Sequence, residues 1–390
     1  MRAARVAALV ASLAVAAGLA HAAAFKAVLL VPDDDPRLQR SQLERAALGH
    51  ASGPAVDAVE LALADGRIEL DSAGATLALE AVPVAGAAAA AAAAARAEKA
   101  GAAALLTDLP AAWTLAVADA TKLTVLNIAT ADDRLRSVDC RRNLWHVGPN
   151  ERMRTDALAQ TLVARRWSQV LLLTGPSEAD RERSVTAQAS IKRYGLKLVA
   201  SRPFKLSADP RERDLGNPLL LTSPSTVGSY DVVWVVDSDG EFALSLPYHT
   251  ALPRPVVGDG GLAALAWSSR FERYGAPQVT RRLLKAAGRR MDAHDWSAWM
   301  AGKALVAAAV AAPKGPAAAW AQALGSVELD GSKGVALSFR PWDGQLRQPL
   351  LLTDGRAVIG TAPVDGVLHP KNTLDTLGAD APEKLCKARS

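Results

Sequence analysis

Carboxylate side chains recur at the ends of apolar segments whose composition is typical of buried β-strands. In the stretch "KAVLLVPDDDP" three aspartates are adjacent, so their charges repel one another unless a partner offsets them. Hard cations such as calcium bind several oxygen ligands, many of them from carboxylates. We therefore predict that a cation, or a cationic or polyhydroxylated ligand, contacts a set of strand-end side chains: Asp33, Asp34, Asp35, Asp108, Asp237, Asp239 and Asp259.

Each of these aspartates also has a structural interpretation. Asp is favoured at turns and helix N-caps because its side-chain oxygen accepts hydrogen bonds from free backbone N–H groups. Asp35 immediately precedes Pro36, which suits such a cap. The stretch "DSDGE" resembles part of a calcium-binding loop but lacks the rest of that pattern. The sequence leaves the ligand and capping interpretations open.

Aromatic and basic side chains near these positions could also contact a ligand. Trp267 follows "GDGGLAALA", and an aromatic ring there would form an apolar wall with a large contact area. Arg134 and Arg136 could hold a ligand carboxylate through paired hydrogen bonds, or form a solvated basic pair.

Catalytic motifs are absent from the sequence. It contains no G-x-S-x-G, no H-E-x-x-H, no phosphate-binding G-x-x-x-x-G-K and no G-x-G-x-x-G after the first strand. The six histidines are scattered along the chain and form no recognisable pair with a nucleophile. We therefore predict a protein that is not an enzyme.

The elements that must position these side chains alternate between strand and helix. Runs such as "QVLLLTG" and "YDVVWVVD" are nearly continuously apolar, as expected for parallel strands covered on both faces. The alanine-rich run from Gly86 to Gly101 predicts a packed helix, because Ala has the highest helix propensity. This order predicts an α/β fold of two doubly wound parallel-sheet lobes. The carboxyl ends of the strands then face one crevice, where such folds bind ligands.

The pattern changes after the last predicted parallel strand. Helical segments dominate 270–324, and short strands with tight turns over 334–360 predict an antiparallel addition. The apolar helix predicted over 292–312 contains Lys303 and stops at Pro313, so we interpret it as a core helix.

Residues 1–24 are typical of a secretory signal peptide. Arg2 and Arg5 precede an uncharged apolar run, and small residues follow it, so we expect cleavage near residues 22–24. The 366 residues that remain of 390 exceed what one compact core usually holds, which predicts two lobes. Removing the two arginines from 45 basic residues leaves 43 against 40 acidic ones, a net charge of +3. With no basic cluster interleaved with aromatics, nucleic acid is not an expected partner.

The chain has two cysteines, Cys140 and Cys386. In an oxidising compartment they could form a disulfide that ties down the C-terminal segment. Two unpaired, buried thiols are the alternative.

Several longer stretches carry a resemblance to a known family. The stretches "DCRRNLWHVGPNERMRTDALAQTLVARRWSQVLLLTG" and "GVALSFRPWDGQLRQPLLLTDG", with βαβ units in each half, resemble type I periplasmic solute-binding proteins of ABC transporters, the branched-chain amino-acid-binding-like group. "LPYHTALPRPVVGDGGL" and "LHPKNTLDTLGADAPEKLCK" are similar to a subgroup associated with pyrroloquinoline-quinone-dependent alcohol dehydrogenase systems.

The resemblance implies two hinged lobes with three crossovers that close over a small ligand and catalyse no reaction. Residues 25–146 with 261–335 would form one lobe, and 147–260 with 336–390 the other. Thr130 would match a hydroxyl that binds the ligand in the family's amino-acid binders. Asp108 and Pro110 depart from the usual turn, and Pro110 lacks an N–H that could meet a ligand carboxylate.

These observations predict a periplasmic substrate-binding protein that captures a small ligand, with no resident cofactor beyond a bound cation. The implied partners are the small-molecule ligand and an ABC transporter permease, so contact with the membrane complex is peripheral only. A link to a quinoprotein alcohol oxidation system is also implied. The alternatives are a non-transport accessory protein or a metal-binding carrier of the same system.

Overall fold

The structure, a computed structural model, describes residues 23–45, 47–313 and 315–389. The predicted signal peptide lies outside the described residues except for Ala23 and Ala24, which begin the first strand. Strands and helices alternate along the described chain, which confirms the predicted α/β class. None of the helices in these ranges has the length and apolarity needed to cross a bilayer.

A five-stranded parallel sheet forms the first lobe, with strand order β2-β1-β3-β4-β5. Its strands are β1 Ala23–Pro32, β2 Ala75–Val84, β3 Ala104–Thr107, β4 Thr124–Asn127 and β5 Leu144–His146. Successive side chains of a strand point to opposite faces, so Ala27 and Leu29 enter one hydrophobic core while Val28 and Leu30 enter another. This arrangement explains why the strand reads as continuously apolar.

A second parallel sheet, of order β7-β6-β8-β9, forms the second lobe. Its strands are β6 Gln169–Thr174, β7 Lys197–Pro203, β8 Val232–Val236 and β9 Val256–Gly258. Here too the side chains of one strand enter two cores, Leu172 on one face and Leu171 with Leu173 on the other. We call the two units lobe 1 and lobe 2.

Helices cover both faces of each sheet. They are α1 Arg40–Arg45, α2 Ala55–Asp65, α3 Arg67–Ser72, α4 Ala87–Lys99, α5 Ala111–Ala120, α6 Glu151–Arg165, α7 Glu178–Arg193, α8 Pro218–Leu221, α9 Pro224–Val227, α10 Glu241–Ser245, α11 Ala276–Ala287, α12 Ala293–Ala311 and α13 Ala317–Leu324. The alanine-rich run forms α4 as predicted, and Gly101 beyond its end adopts a φ of 81°. The segment predicted as a core helix is α12, whose residues pack in the lobe 1 core.

Short antiparallel strands follow the second parallel sheet along the chain. They are β10 Ala263–Leu265, β11 Leu329–Asp330, β12 Ala336–Leu337, β13 Leu350–Thr353 and β14 Val358–Ala362. Strand β13 pairs with β10 and β14, which confirms the predicted antiparallel addition. Ala264 packs in the lobe 2 core and its neighbour Leu265 in the lobe 1 core, so β10 lies between the two. The residue boundaries of the lobes remain a prediction.

A disulfide joins Cys140, just before β5, to Cys386 near the C-terminus. The Sγ atoms are 2.10 Å apart, and the bond links positions separated by 246 residues. Both residues are buried.

Candidate functional site

The chain after β1 reaches from lobe 1 to lobe 2. We call residues 40–45 and 47–54 the strap. Arg45 of the strap donates from Nη1 to Oδ1 of Asp239 at 2.6 Å and lies 3.7 Å from Glu241. Gly240 has a φ of 81°, and a Cβ built there would lie 3.3 Å from that of Ala47. The strap therefore lies directly on the loop that follows β8.

A cavity of about 250 Å³ lies beneath the strap. Its walls come from the strap, the segment after β10, the residues before α12 and the end of β13, and include His50, Ser52, Trp267, Ser268, Asp292 and Thr353. Sites for drug-sized ligands usually measure about 300–1,000 Å³. The cavity is therefore suited to a smaller molecule.

Trp267 forms part of the floor of this cavity, although its side chain is 1% exposed. Its ring stacks on Trp296 of α12 with 6.3 Å between ring centroids. Its indole Nε1 is buried without a hydrogen-bond partner among the described residues. The predicted contact of Trp267 with a ligand remains a prediction.

Two of the three adjacent aspartates after β1, Asp33 and Asp35, accept hydrogen bonds in local turns. Asp33 and Asp34 are exposed, and Oδ1 of Asp33 accepts a hydrogen bond from the N–H of Asp34 at 2.9 Å. Asp35 caps the 3₁₀ turn Pro36–Leu38 and pairs with the side chain of Arg37 at 2.7 Å. The capping interpretation is therefore correct for Asp35.

Asp108 lies at the centre of a charged triad in which the aspartate and the histidine are buried and the arginine is partly exposed. Its carboxylate contacts Nη1 of Arg37 at 2.8 Å and Nε2 of His294, at the start of α12, at 3.1 Å. Burial alone would raise the pKa of Asp108, but the His294 and Arg37 charges outweigh it and hold that pKa well below its usual range. Burial would lower the pKa of His294, and the Asp108 charge raises it instead. The negative charge of Asp108 is therefore balanced by Arg37 and His294 within lobe 1.

The lobe 2 aspartates form a second group at the strand ends. Asp259 pairs with Arg183 of α7 through both oxygens, at 2.7 and 2.9 Å, and accepts a hydrogen bond from the N–H of Asp237. Nε of Arg183 also contacts Glu151 at 3.1 Å. Asp237 is buried and accepts from the N–H of Ala243, and burial raises its pKa.

Four of the predicted aspartates, Asp35, Asp108, Asp239 and Asp259, are thus paired with arginines. Among the residues in the described ranges, no group of three or more His, Cys, Asp or Glu side chains could hold a metal ion. The physical reason is that Arg37, Arg45 and Arg183 contact the carboxylates and offset their charges.

Thr130, Arg134 and Arg136 lie in the segment between β4 and β5. Oγ1 of Thr130 accepts a hydrogen bond from the N–H of Asp132 at 3.3 Å. Arg136 is 1% exposed and donates to the carbonyl oxygens of Thr130 and Gly148 and to Gln345. Arg134 is exposed and pairs with Asp139. Arg136 therefore joins the segments after β4 and β5 to Gln345, and its contact with a ligand carboxylate remains a prediction.

Sequence reasoning missed two groups beside the lobe 2 pairs. Arg154, in the first turns of α6, lies near Glu151 and Arg183, and burial lowers its pKa. Its buried Nε has no hydrogen-bond partner in the described part of the chain. The charges of Arg154 and Asp259 act on His50 of the strap, so these groups lie near it. Burial lowers the pKa of His50, so its ring is neutral at neutral pH.

These two groups come from opposite sides of the crevice. His50 lies in the "GHASGP" break between α1 and α2, and Arg154 lies in α6, where residues 155–162 are all buried. Neither position carries a motif, so no signal in the sequence distinguishes them from ordinary polar residues.

Comparison with known proteins identifies no matching family model and no matching curated sequence. Solved structures do match over most of the chain. A periplasmic ligand-binding protein of a branched-chain amino acid ABC transporter from Burkholderia xenovorans has a TM-score of 0.72 at 14% identity, covering 94% of this chain and all of that one (100%).

Two further matches carry ligands in their structures. An ABC transporter solute-binding protein from R. palustris in complex with benzoate has a TM-score of 0.62 at 14% identity, covering 87% of this chain and 96% of that one. A substrate-binding protein from Desulfitobacterium hafniense in complex with Leu has a TM-score of 0.66 at 15% identity, covering 85% and 98%. The chain therefore has the two-lobed fold of type I periplasmic binding proteins of ABC transporters.

Proposed function

We propose that this chain is the periplasmic substrate-binding protein of an ABC transporter, captures a small ligand between its lobes and delivers it to a permease. The observation that carries the proposal is the cavity of about 250 Å³ between the strap and the crossover segments of a two-lobed binding-protein fold. Domain closure around a ligand is the usual working motion of such a fold. Export would depend on the signal peptide predicted over residues 1–24.

The ligand we propose is a small carboxylic acid with a second hydrogen-bonding group. Arg154 lies near His50 but outside the walls of the cavity, so closure of the lobes would bring it to the ligand carboxylate. A guanidinium binds carboxylates through paired, charge-assisted hydrogen bonds. The neutral ring of His50 would contact the second polar group. The ligands named for two similar structures, benzoate and Leu, both contain a carboxylate, which supports this class.

An α-amino acid fits this site less well, because Asp292 in the cavity wall already accepts hydrogen bonds from the N–H and the hydroxyl of Ser52. In lobe 1, Asp108 is paired with Arg37 and His294, so it offers no free carboxylate to a ligand ammonium. Pro110 has no N–H to donate to a ligand carboxylate. We therefore propose an acid without an α-ammonium group.

We also propose that the protein serves a quinoprotein alcohol oxidation system, on the strength of the sequence resemblance to that subgroup. Hydroxy acids, which form when one alcohol group of a diol is oxidised to a carboxylate, have the proposed ligand chemistry. A second candidate function is a non-transport accessory protein of the same system. The observation that favours it is the internal pairing of the crevice carboxylates.

Thermal-shift screening of the mature protein tests the proposal. The panel contains amino acids, alcohol-derived acids, quinones, and calcium or lanthanide ions. A ligand present at about 100 times its Kd stabilises the folded state by roughly 2.7 kcal/mol. Stabilisation by an acid supports transport of that acid, and stabilisation by an ion that chelator reverses supports a metal carrier. No stabilisation by any class supports the accessory function.

A further inference from the structure

The last residues of the chain cross from lobe 2 to lobe 1. We call residues 379–389 the tail. Just before it, the N–H of Gly378 donates to Oδ2 of Asp156 at 2.9 Å, and its carbonyl oxygen accepts from Arg193 at 3.1 Å. Asp156 is a buried residue of α6 and Arg193 ends α7. The tail therefore starts from a fixed point on the lobe 2 helices.

The far end of the tail is fixed on lobe 1. Cys386 forms the disulfide with Cys140, which lies just before β5. Nη2 of Arg389 donates to the carbonyl oxygen of Leu144 at 2.8 Å, and its guanidinium lies 4.2 Å from the ring centroid of Trp145. The tail end is thereby held against β5, the edge strand of the first sheet.

An ion pair holds the middle of the tail to lobe 2. Both oxygens of Glu383 accept hydrogen bonds from Arg152 of α6, at 2.8 and 2.9 Å. From Glu383 to Cys386 the chain takes three residue steps, which span at most about 10 Å when fully extended. A short covalent segment therefore joins an anchor on lobe 2 to an anchor on lobe 1.

The tail also forms one wall of a groove between the lobes. This groove has a volume of about 640 Å³. Its other walls are residues 133–137 after β4 and the helices α6 and α7. A change in the angle between the lobes alters the width of this groove, and the tail spans it.

We propose that the disulfide-closed tail acts as a fourth connection between the lobes and limits how far they open. Three peptide crossovers allow a hinge to swing, and the tail adds a further link beside the first of them, because its disulfide partner Cys140 precedes that crossover and its ion-pair partner Arg152 follows it. When the lobes open, the tail is stretched. The ion pair between Arg152 and Glu383 breaks first, and the disulfide then stops further opening. The proposal rests on the proposed function, since it assumes that the lobes move. It concerns how far the lobes are open in the ligand-free protein, so its test needs no ligand.

Small-angle X-ray scattering of the ligand-free mature protein tests this proposal. Glu383→Gln removes the ion pair and keeps the disulfide, and the double variant Cys140→Ser with Cys386→Ser removes the covalent link. Glu272→Gln is the matched control, because Glu272 is an exposed glutamate that lies in the loop before α11.

We expect the control to match the unchanged protein, and both tail variants to have a larger radius of gyration and a broader distance distribution. An unchanged scattering profile in both tail variants would overturn the proposal. If circular dichroism shows that the double serine variant does not fold, Glu383→Gln decides the question alone. Because no ligand is added, this result is independent of the thermal-shift screen.

Discussion

Replacing Asp108 with Asn removes one charge from the charged triad and leaves its shape nearly unchanged. In the folded protein Arg37 keeps a partner, since it also pairs with Asp35 at 2.7 Å. The side chain of His294 is 8% exposed and loses the carboxylate that lies 3.1 Å away. The substitution therefore leaves a buried imidazole without its counter-charge.

The expected loss of stability depends on pH. Truncating a buried ion pair costs about 3–5 kcal/mol, and because Arg37 retains Asp35 we expect about 2 kcal/mol at about pH 8.5. The raised pKa of His294 in the folded state adds stability that is present below about pH 6.5 and is lost as the pH rises through the folded-state pKa. Without Asp108, burial lowers that pKa instead. The loss should therefore be larger, by about 1–2 kcal/mol, at about pH 5.5.

Urea unfolding at the two pH values, followed by circular dichroism and tryptophan fluorescence, measures this difference. Asp34→Asn is the matched control, because Asp34 is an exposed aspartate of the same segment. It should change the free energy of unfolding by less than about 0.5 kcal/mol. A loss in Asp108→Asn below about 1 kcal/mol, or one that is equal at both pH values, would refute the role given to the triad.

Three further substitutions test other parts of the structure by denaturant unfolding. Burial raises the pKa of Asp133 to about 6, so Asp133→Asn should stabilise the protein by about 2 kcal/mol at about pH 7.5, and the gain should vanish below about pH 4. A Cβ at Gly258, where φ is 110°, would clash with the carbonyl oxygen of Val235, so Gly258→Ala should cost about 3 kcal/mol. Because the side chains of Arg45 and Asp239 are 30% and 55% exposed, Arg45→Gln should cost less than about 1 kcal/mol, and added salt should reduce the effect.

Periodicity and composition predicted much of the fold because these signals are local. The strand "VVWVV" is buried along its whole length, because a strand covered on both faces is apolar at every position. The alanine run forms α4, because helix propensity is a property of the residues within one segment. Asp35 as a turn cap was also predictable, because its partner Arg37 is two residues away.

The candidate site was less predictable because its pairings join distant segments. Asp108 and His294 are separated by 186 residues, and Arg183 and Asp259 by 76. An aspartate at a strand end looks the same in the sequence whether it faces a ligand or an arginine. The positions of Arg154 and His50 depend on how the strap and α6 pack across the crevice, which no local pattern encodes.

Isothermal titration of the mature protein with the acid that gives the largest thermal shift tests the proposed ligand contact most directly. The matched control is Arg281→Gln, because Arg281 is an exposed arginine of α11. We predict that the unchanged protein and this control bind the acid equally, and that Arg154→Gln weakens binding at least about tenfold, or about 1.4 kcal/mol. Equal affinity in all three proteins would contradict the account.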